Sequence, residues 1–341
     1  MADSQALTDH AVRKGVTPTT ACPMFGRPLP EAATEDAVHS VESHGLTEIG
    51  SARERNEDDF LILPLPLHSG SDPAPGAGRR GGLLHRTAFL LAVADGLGGA
   101  REGARASTIA LCALRDAAKE SLAARDAPEG SETGLVGVLK RAVLLGHHEI
   151  EKEARRRPGQ AGLGTTLTAA LVAWPRVFVV HVGDTRCYVH RGSRLRRVTA
   201  DHTLAQRLID LGLVSPDRLP NPLGRNVLWN SLGGGASEPR PQLRAGRLQW
   251  GDGILLASDG LTDSLSDREL RRLVRAGGPA PEICRRLIEA AGAHGGRDDR
   301  TVVYARFRRR SWGERIRRTL GSGAFLRRWT GLGRADGFAR E

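Results

Sequence analysis

Five short stretches set acidic side chains beside glycine, serine or arginine: Glu57 and Asp58 in RERNEDDF, Asp95 in ADGLGG, Asp184 in HVGDTR, Asp259 with Asp263 in SDGLTD, and Asp298 in GRDDRTVV. Each alone is an ordinary Asp at a strand end or turn, where a short polar side chain bonds its own backbone. Collected at one sheet edge, the same carboxylates would repel unless cations neutralised them, and an oxygen-only set without His or Cys selects Mg²⁺ or Mn²⁺ over zinc. In ADGLGG the glycines sharpen this reading. Gly96 offers a bare backbone carbonyl beside the Asp95 carboxylate, a pair of hard oxygens, and Gly98 and Gly99 permit the positive φ that a tight turn needs.

Such a site requires strands that end near each acid. LTEIGSARERNEDDFLILPL reads as two strands joined by a charged turn, and FLLAVA before Asp95 is the unbroken apolar run of a strand covered on both faces. Residues 64–80 form a Pro/Gly-rich surface loop, and helical apolar spacing follows over 107–124 and 135–156. TLTAALVAW, RVFVVHVGD, TRCYVHRG and SRLRRVT are rich in β-branched residues with short turns between them, the pattern of an antiparallel meander. His202 to Leu213 reads as a helix followed by a Pro-broken flap, GILLAS as a strand, 267–276 and 281–291 as helices, and TVVYARF as the closing strand. Two helices set between strand runs predict an α+β domain with layered sheets.

The chain of 341 residues carries a net charge of +11. From Arg306 to Glu341 eleven arginines stand against three acids, so +8 of that charge lies in the tail and the body is nearly neutral. Four lysines leave 46 arginines, a skew that suits a GC-rich genome and a bacterial source. The body lacks aromatic interleaving with its basic residues, which argues against a nucleic-acid reader. Four scattered cysteines without CxxC, and an N-terminus without an apolar leader, fit a cytoplasmic protein. In the tail, Trp312, Ile316 and Leu320 fall four apart among arginines, and Phe325, Leu326 and Trp329 extend the series beyond Gly321–Gly323. This basic amphipathic pattern suits an anionic membrane surface, peripheral to its inner face, or an acidic protein. A solubilising tail or one folded back on the body is the plainer alternative.

The ordered series RxxxED, DGxGGxxxGxxAS, GxGTT, GDTRxY, TADHT, LLASDGLTD and DDxTVV resembles the metal-dependent serine/threonine protein phosphatases of type 2C, the PPM family, in its bacterial form, over roughly Leu46 to Phe307. The resemblance implies an αββα architecture, a layered β-sandwich flanked by helices, with a catalytic domain over 45–307 between a mobile extension, 1–44, and the basic tail, 308–341. It implies hydrolysis of phosphoserine and phosphothreonine in proteins, among them a Ser/Thr kinase or its targets. Two tightly held Mn²⁺ or Mg²⁺ ions would share the attacking hydroxide, with a third, weaker cation beside them. By motif, Asp95 becomes the bridging metal ligand, with the Gly96 carbonyl beside it. Asp259 and Asp298 complete the pair, Glu57 and Asp58 hold metal-bound waters, and Asp184 serves the third cation. Arg53 matches the phosphate-binding arginine, whose planar fork spans two phosphate oxygens; the plainer reading is an ion pair with Glu54 or Glu57.

Three departures accompany the match. Asp298-Asp299 stands where the family usually has Asp-Asn, which adds a charge beside the metals. NVLWNSLGG fits its expected pattern loosely. Leu97 occupies the place of a His found in animal members and absent from bacterial ones, so no leaving-group acid is assigned. His181, His190 and His202 read as structural, and Gly164, Thr165 and Thr166 as packing residues. A non-catalytic phosphoprotein-binding module on the same scaffold is the rival reading, and the presence of Asp95, Asp259 and Asp298 counts against it.

Overall fold

The computed structural model describes residues 39–67, 87–99, 102–123, 132–156, 162–215, 226–235 and 237–309. The N-terminal extension to residue 38, most of the 64–80 loop, part of the flap and the tail beyond Arg309 lie outside the described residues.

The first half holds strands β1 (His39–Glu48), β2 (Asp59–Pro66), β3 (Thr87–Ala94) and β4 (Gly96–Leu97), then helices α1 (Glu102–Ala123) and α2 (Glu132–Arg156). Strands β5 (Gly164–Thr165), β6 (Leu167–Ala173), β7 (Arg176–Val182), β8 (Arg186–Arg191) and β9 (Arg194–Arg197) follow. The remainder is α3 (Leu204–Asp210), β10 (Leu232–Gly233), β11 (Gln242–Arg247), β12 (Gly253–Ala257), α4 (Asp259–Thr262), α5 (Asp267–Arg275), α6 (Ala280–Ala293) and β13 (Arg300–Arg309). Two five-stranded antiparallel sheets are ordered β1-β13-β12-β8-β9 and β11-β7-β6-β3-β2, and a small third sheet, β10-β5-β4, lies against α1 and α2.

Alternation along the strands builds four layers. In β3, Ala88, Leu90, Ala92 and Ala94 meet α1 and α2, while Phe89, Leu91 and Val93 pack between the sheets, so every residue of the strand is buried. In β13, Val303, Ala305 and Phe307 point into the same inter-sheet core, whereas Val302 and Tyr304 face α5 and α6. This period of two is the reason an unbroken apolar run forms a strand here: each face has its own helix or sheet to cover it. Truncation of Leu91, which is wholly buried, to Ala would cost about 2–5 kcal/mol through lost contacts and the cavity left behind.

The α+β sandwich therefore agrees with the expected fold class, with three differences. The expected meander is two hairpins in two sheets: β6–β7 belongs to one and β8–β9 to the other, the chain crossing over at Gly183–Thr185. β11, with its exposed QLRAGR sequence, is an additional edge strand on β7. β1 begins at His39, inside the stretch read as an extension, because it pairs along its length with β13.

Candidate metal centre

The two sheets present all five acidic stations at one end of the sandwich. Glu57 and Asp58 precede β2, Asp95 ends β3, Asp184 lies in the β7–β8 crossover, Asp259 follows β12 as the first residue of α4, and Asp298 precedes β13. Register makes these ends coincide: Asp59 pairs with Ala94, Val93 with Thr168, Leu167 with Val182, Ala257 with Arg186 and Val302 with Ala257.

Asp95 is fixed through its backbone. Its N–H donates to Thr166 Oγ1 at 3.0 Å, and its carbonyl accepts from Thr166 N and Thr165 Oγ1, both at 2.8 Å. The GxGTT threonines thus position this Asp, a role beyond the packing expected of them. Gly96 has no room for a side chain, since a Cβ there would strike the Gly103 backbone at the start of α1. Gly98 and Gly99 take positive φ, and the Gly99 carbonyl accepts the N–H groups of Glu102 and Gly103 at 2.9 Å each, turning the chain directly into α1.

Asp184 is placed by histidines. Gly183 N–H donates to His202 Nδ1 at 3.2 Å and Gly183 O accepts from His202 N at 2.7 Å; His202 Nδ1 also accepts from Asn230 Nδ2 at 2.8 Å. His181 bridges Thr168 Oγ1 and the Ala200 carbonyl, and its ring lies 4.6 Å from that of His202. His190 pairs with Tyr304, at the opposite end of β8 and β12. The three histidines are structural, and His181 and His202 support the crossover that carries Asp184.

The carboxylates press on one another. Burial, then the charges of Asp259, Asp58 and Asp184, hold the Asp95 carboxyl well above the usual carboxylate range. Burial first, then Asp259, Asp201 and Asp263, does the same to Asp184. Asp259 is pushed up to about 6 by burial and then by Asp298, and it lies within hydrogen-bonding reach of a proton held on Asp95. Asp58 is raised by burial, with Asp259 and Asp299 adding to it, and neither of its buried oxygens has a hydrogen-bond partner among the described residues. The nearby hydroxyls of Ser258 and Thr301 temper this shift, but they engage the Asp299 carbonyl and Thr47 instead. Beside Asp58 lies a cavity of about 200 Å³ that Thr47, Asn56 and Thr108 help to line.

Arg53 is the local counter-charge. Its Nε and Nη2 donate to the two Asp298 oxygens at 2.8 Å each, and Nη1 stands 3.7 Å from Glu57 Oε1. The salt bridge to Glu57 envisaged as the plain alternative is present, but the tighter partner is Asp298, one of the expected ligands. With Asp298 turned to Arg53, no three His, Cys, Asp or Glu side chains among the described residues already form a metal cage. A divalent cation nonetheless fits the donor set, which is all oxygen, wholly or partly buried, mutually repelling, and includes an Asp58 carboxylate with both oxygens unpartnered among the described residues.

Sequence reasoning missed the role of Asp299. Its Oδ1 accepts from Gly50 N and its Oδ2 from Glu57 N, at 2.8 Å each, so one buried carboxylate clamps both ends of the loop that carries Arg53. An Asn offers one acceptor oxygen where this loop uses two. The signal was the departure from Asp-Asn; its meaning depends on a partner about 250 residues away in sequence.

The layered α+β sandwich with its acid-rich edge sets the fold class, and comparison supplies the family. The protein phosphatase 2C family model matches residues 83–287, and the chain belongs to that family. It is 38% identical over 222 residues to the serine/threonine protein phosphatase PstP of Mycobacterium tuberculosis, a match covering 65% of this chain and 41% of that protein. It is 33% identical over 214 residues to the serine/threonine phosphatase Stp of Listeria monocytogenes, covering 63% of this chain and 82% of the relative. The crystal structure of the PstP catalytic domain in complex with two manganese ions superposes with a TM-score of 0.61 at 30% identity, covering 80% of this chain and 99% of that one. The chain thus spans less than half the length of its mycobacterial relative. The residues outside the matched segments have no counterpart in these alignments.

Proposed function

We propose that the protein is a serine/threonine phosphoprotein phosphatase that uses Mn²⁺ or Mg²⁺ at the acidic edge of its sandwich. The observation that carries this reading is the mutually destabilised set of buried Asp58 and Asp184 with half-buried Asp95 and Asp259 at one end of both sheets, in a chain of the 2C family. When bound, a pair of such ions supplies Lewis acidity, neutralising phosphoryl charge and lowering the pKa of a shared water.

Asp95, the Gly96 carbonyl, Asp259 and Asp298 are the groups that would hold the pair, with Glu57 and Asp58 accepting hydrogen bonds from their waters and Asp184 serving a third, weaker position. Thr165 and Thr166 fix Asp95, and His202 fixes the turn before Asp184, so the acids are set in place before substrate arrives. Arg53 exchanges Asp298 for the phosphate of the substrate, two in-plane N–H donors meeting two oxygens in either case. Its preference for anionic oxygens is already expressed in this pairing.

Substrates are phosphorylated proteins, including a Ser/Thr kinase or its targets. Among the described residues no helix is long and apolar enough to cross a membrane. A cytoplasmic location, with the basic tail meeting an anionic membrane face or acidic protein, completes the reading. Phosphate release from a phosphothreonine peptide and from p-nitrophenyl phosphate, with and without Mn²⁺, tests it. Metal-dependent release from both is expected, and hydrolysis unaffected by chelation would overturn it.

A further inference from the structure

The α5 helix carries a feature that the metal centre does not use. Ser266 caps it, accepting from Glu269 N and receiving the Glu269 carboxylate in return, and Leu270 and Val274 bury one face against the outer core. Arg268, Arg271, Arg272 and Arg275 follow the i, i+3, i+4, i+7 pattern, which gathers them within an arc of about 100° on the side away from Leu270 and Val274. All four are exposed, and none makes an ion pair among the described residues. The two acids on the helix are engaged elsewhere: Asp267 accepts from Tyr188 Oη at 2.9 Å, and Glu269 holds its cap and faces His294.

The helix that carries the stripe follows the acidic SDGLTD segment in the chain. Three residues separate Asp263, whose charge bears on Asp184, from Asp267, the first residue of α5. Tyr188, which anchors Asp267, is two residues from Arg186, and Arg186 holds Asp201, another charge acting on Asp184. Four exposed guanidinium groups in a line about 10 Å long, of which only Arg272 is drawn on by a helix acid, Glu269, match the side chains of a three- to four-residue extended segment, since a strand advances about 3.3 Å per residue. A line of this width and length suits a polypeptide better than a lipid surface.

We infer that the α5 arginine stripe docks an acidic segment flanking the phosphorylated residue of the substrate protein, so that the enzyme favours phosphosites accompanied by a run of Asp or Glu. This inference rests on the phosphatase reading and names the substrate class for that site. Arginine recognises such segments by forked, charge-assisted hydrogen bonds, and exposed pairs of this kind add modestly and are screened by salt.

The test compares two phosphothreonine peptides, one flanked by four Glu and one by four Ser, with p-nitrophenyl phosphate as the small ester. The parent chain should favour the acidic peptide about tenfold in kcat/KM at low salt, and the preference should shrink toward unity at 0.5 M NaCl. The R268Q/R271Q/R272Q/R275Q variant should lose the preference while hydrolysing the small ester and the Ser-flanked peptide as before. Binding of fluorescent forms of both peptides, followed by anisotropy, reads the docking even without turnover, so failure of the phosphatase reading and failure of the docking are separate results. The pairs R268Q/R272Q and R271Q/R275Q, each expected to lose part of the preference, replace the quadruple variant should it not fold. An equal affinity for the two peptides in the parent, a preference insensitive to salt, or a preference retained in the variants would overturn the inference. So would variants that keep the peptide preference but lose co-sedimentation with phosphatidylglycerol vesicles.

Discussion

Replacing Asp299 by Asn changes one atom in a buried clamp and should destabilise the fold measurably. The carboxylate is 2% exposed, and each of its oxygens accepts one backbone N–H, from Gly50 and from Glu57, at 2.8 Å. In the Asn variant one of these N–H groups faces an NH₂ instead of an acceptor. A buried donor left unpaired costs about 1–3 kcal/mol, whereas the lost charge itself matters less, because Asp298 repels it and Arg53 attracts it. We therefore expect a loss of about 2 kcal/mol in unfolding free energy, read as a lower urea midpoint with unchanged m-value. The loop between the two N–H groups carries Arg53, so KM for p-nitrophenyl phosphate should rise several-fold while kcat changes less. An Asn variant within about 0.5 kcal/mol of the parent, with KM unchanged, would refute the clamp.

Three further outcomes follow from the site. Arg53→Ala should raise KM and weaken inhibition by inorganic phosphate, since the guanidinium binds oxygens that are anionic in the ground state; an unchanged phosphate inhibition constant would remove Arg53 from the phosphate site. Asp184→Asn should leave tight Mn²⁺ binding intact and abolish one weak site in a metal titration, and an unaltered count of sites would refute its role. His202 is pushed down to about 4 by burial, against about 6.5 in the unfolded chain. The neutral ring is the form that accepts from Gly183 and Asn230, so its contribution is complete above pH 6.5 and is lost as pH falls toward 4, on the order of 2 kcal/mol. Chemical denaturation of His202→Gln across this range should show a correspondingly flatter dependence than the parent, and identical slopes would contradict the assignment.

Much of this was legible in the sequence because the site sits where strands stop. FLLAVA and GILLAS end in Asp95 and Asp259 in the chain as in the fold, and TVVYARF begins just after Asp298. The order of helices and strands likewise gave the layers. What could not be read was which sheet each strand joins: β6 to β9 share one alternation and equally short turns, and only the packing shows the crossover at Gly183–Thr185. β11 escaped notice because an exposed edge strand carries no apolar alternation. The supports of the acids were hidden for another reason. Thr166 to Asp95 and Asp299 to Gly50 are contacts between residues distant in sequence, and a hydroxyl or carboxylate at a strand end looks the same whether it caps its own turn or a remote one. The C-terminal boundary shifts for a plain physical reason: Phe307 is fully buried in the inter-sheet core and Arg308 lies 3.7 Å from Glu42, so a tail truncation that preserves the fold must end at Arg309 or later.

The central claim is that Asp95 and Asp259 jointly hold the cations on which hydrolysis depends. Calorimetric titration of the metal-stripped chain with Mn²⁺, run beside phosphate release from a phosphothreonine peptide at each metal concentration, measures both halves of that claim on one sample. Two tight sites should fill in step with the onset of turnover in the parent, and Asp95→Asn and Asp259→Asn should each lose tight binding and nearly all turnover together. Near-normal turnover in either variant at saturating Mn²⁺, or tight binding of two ions with Asp95 neutralised, would contradict the account.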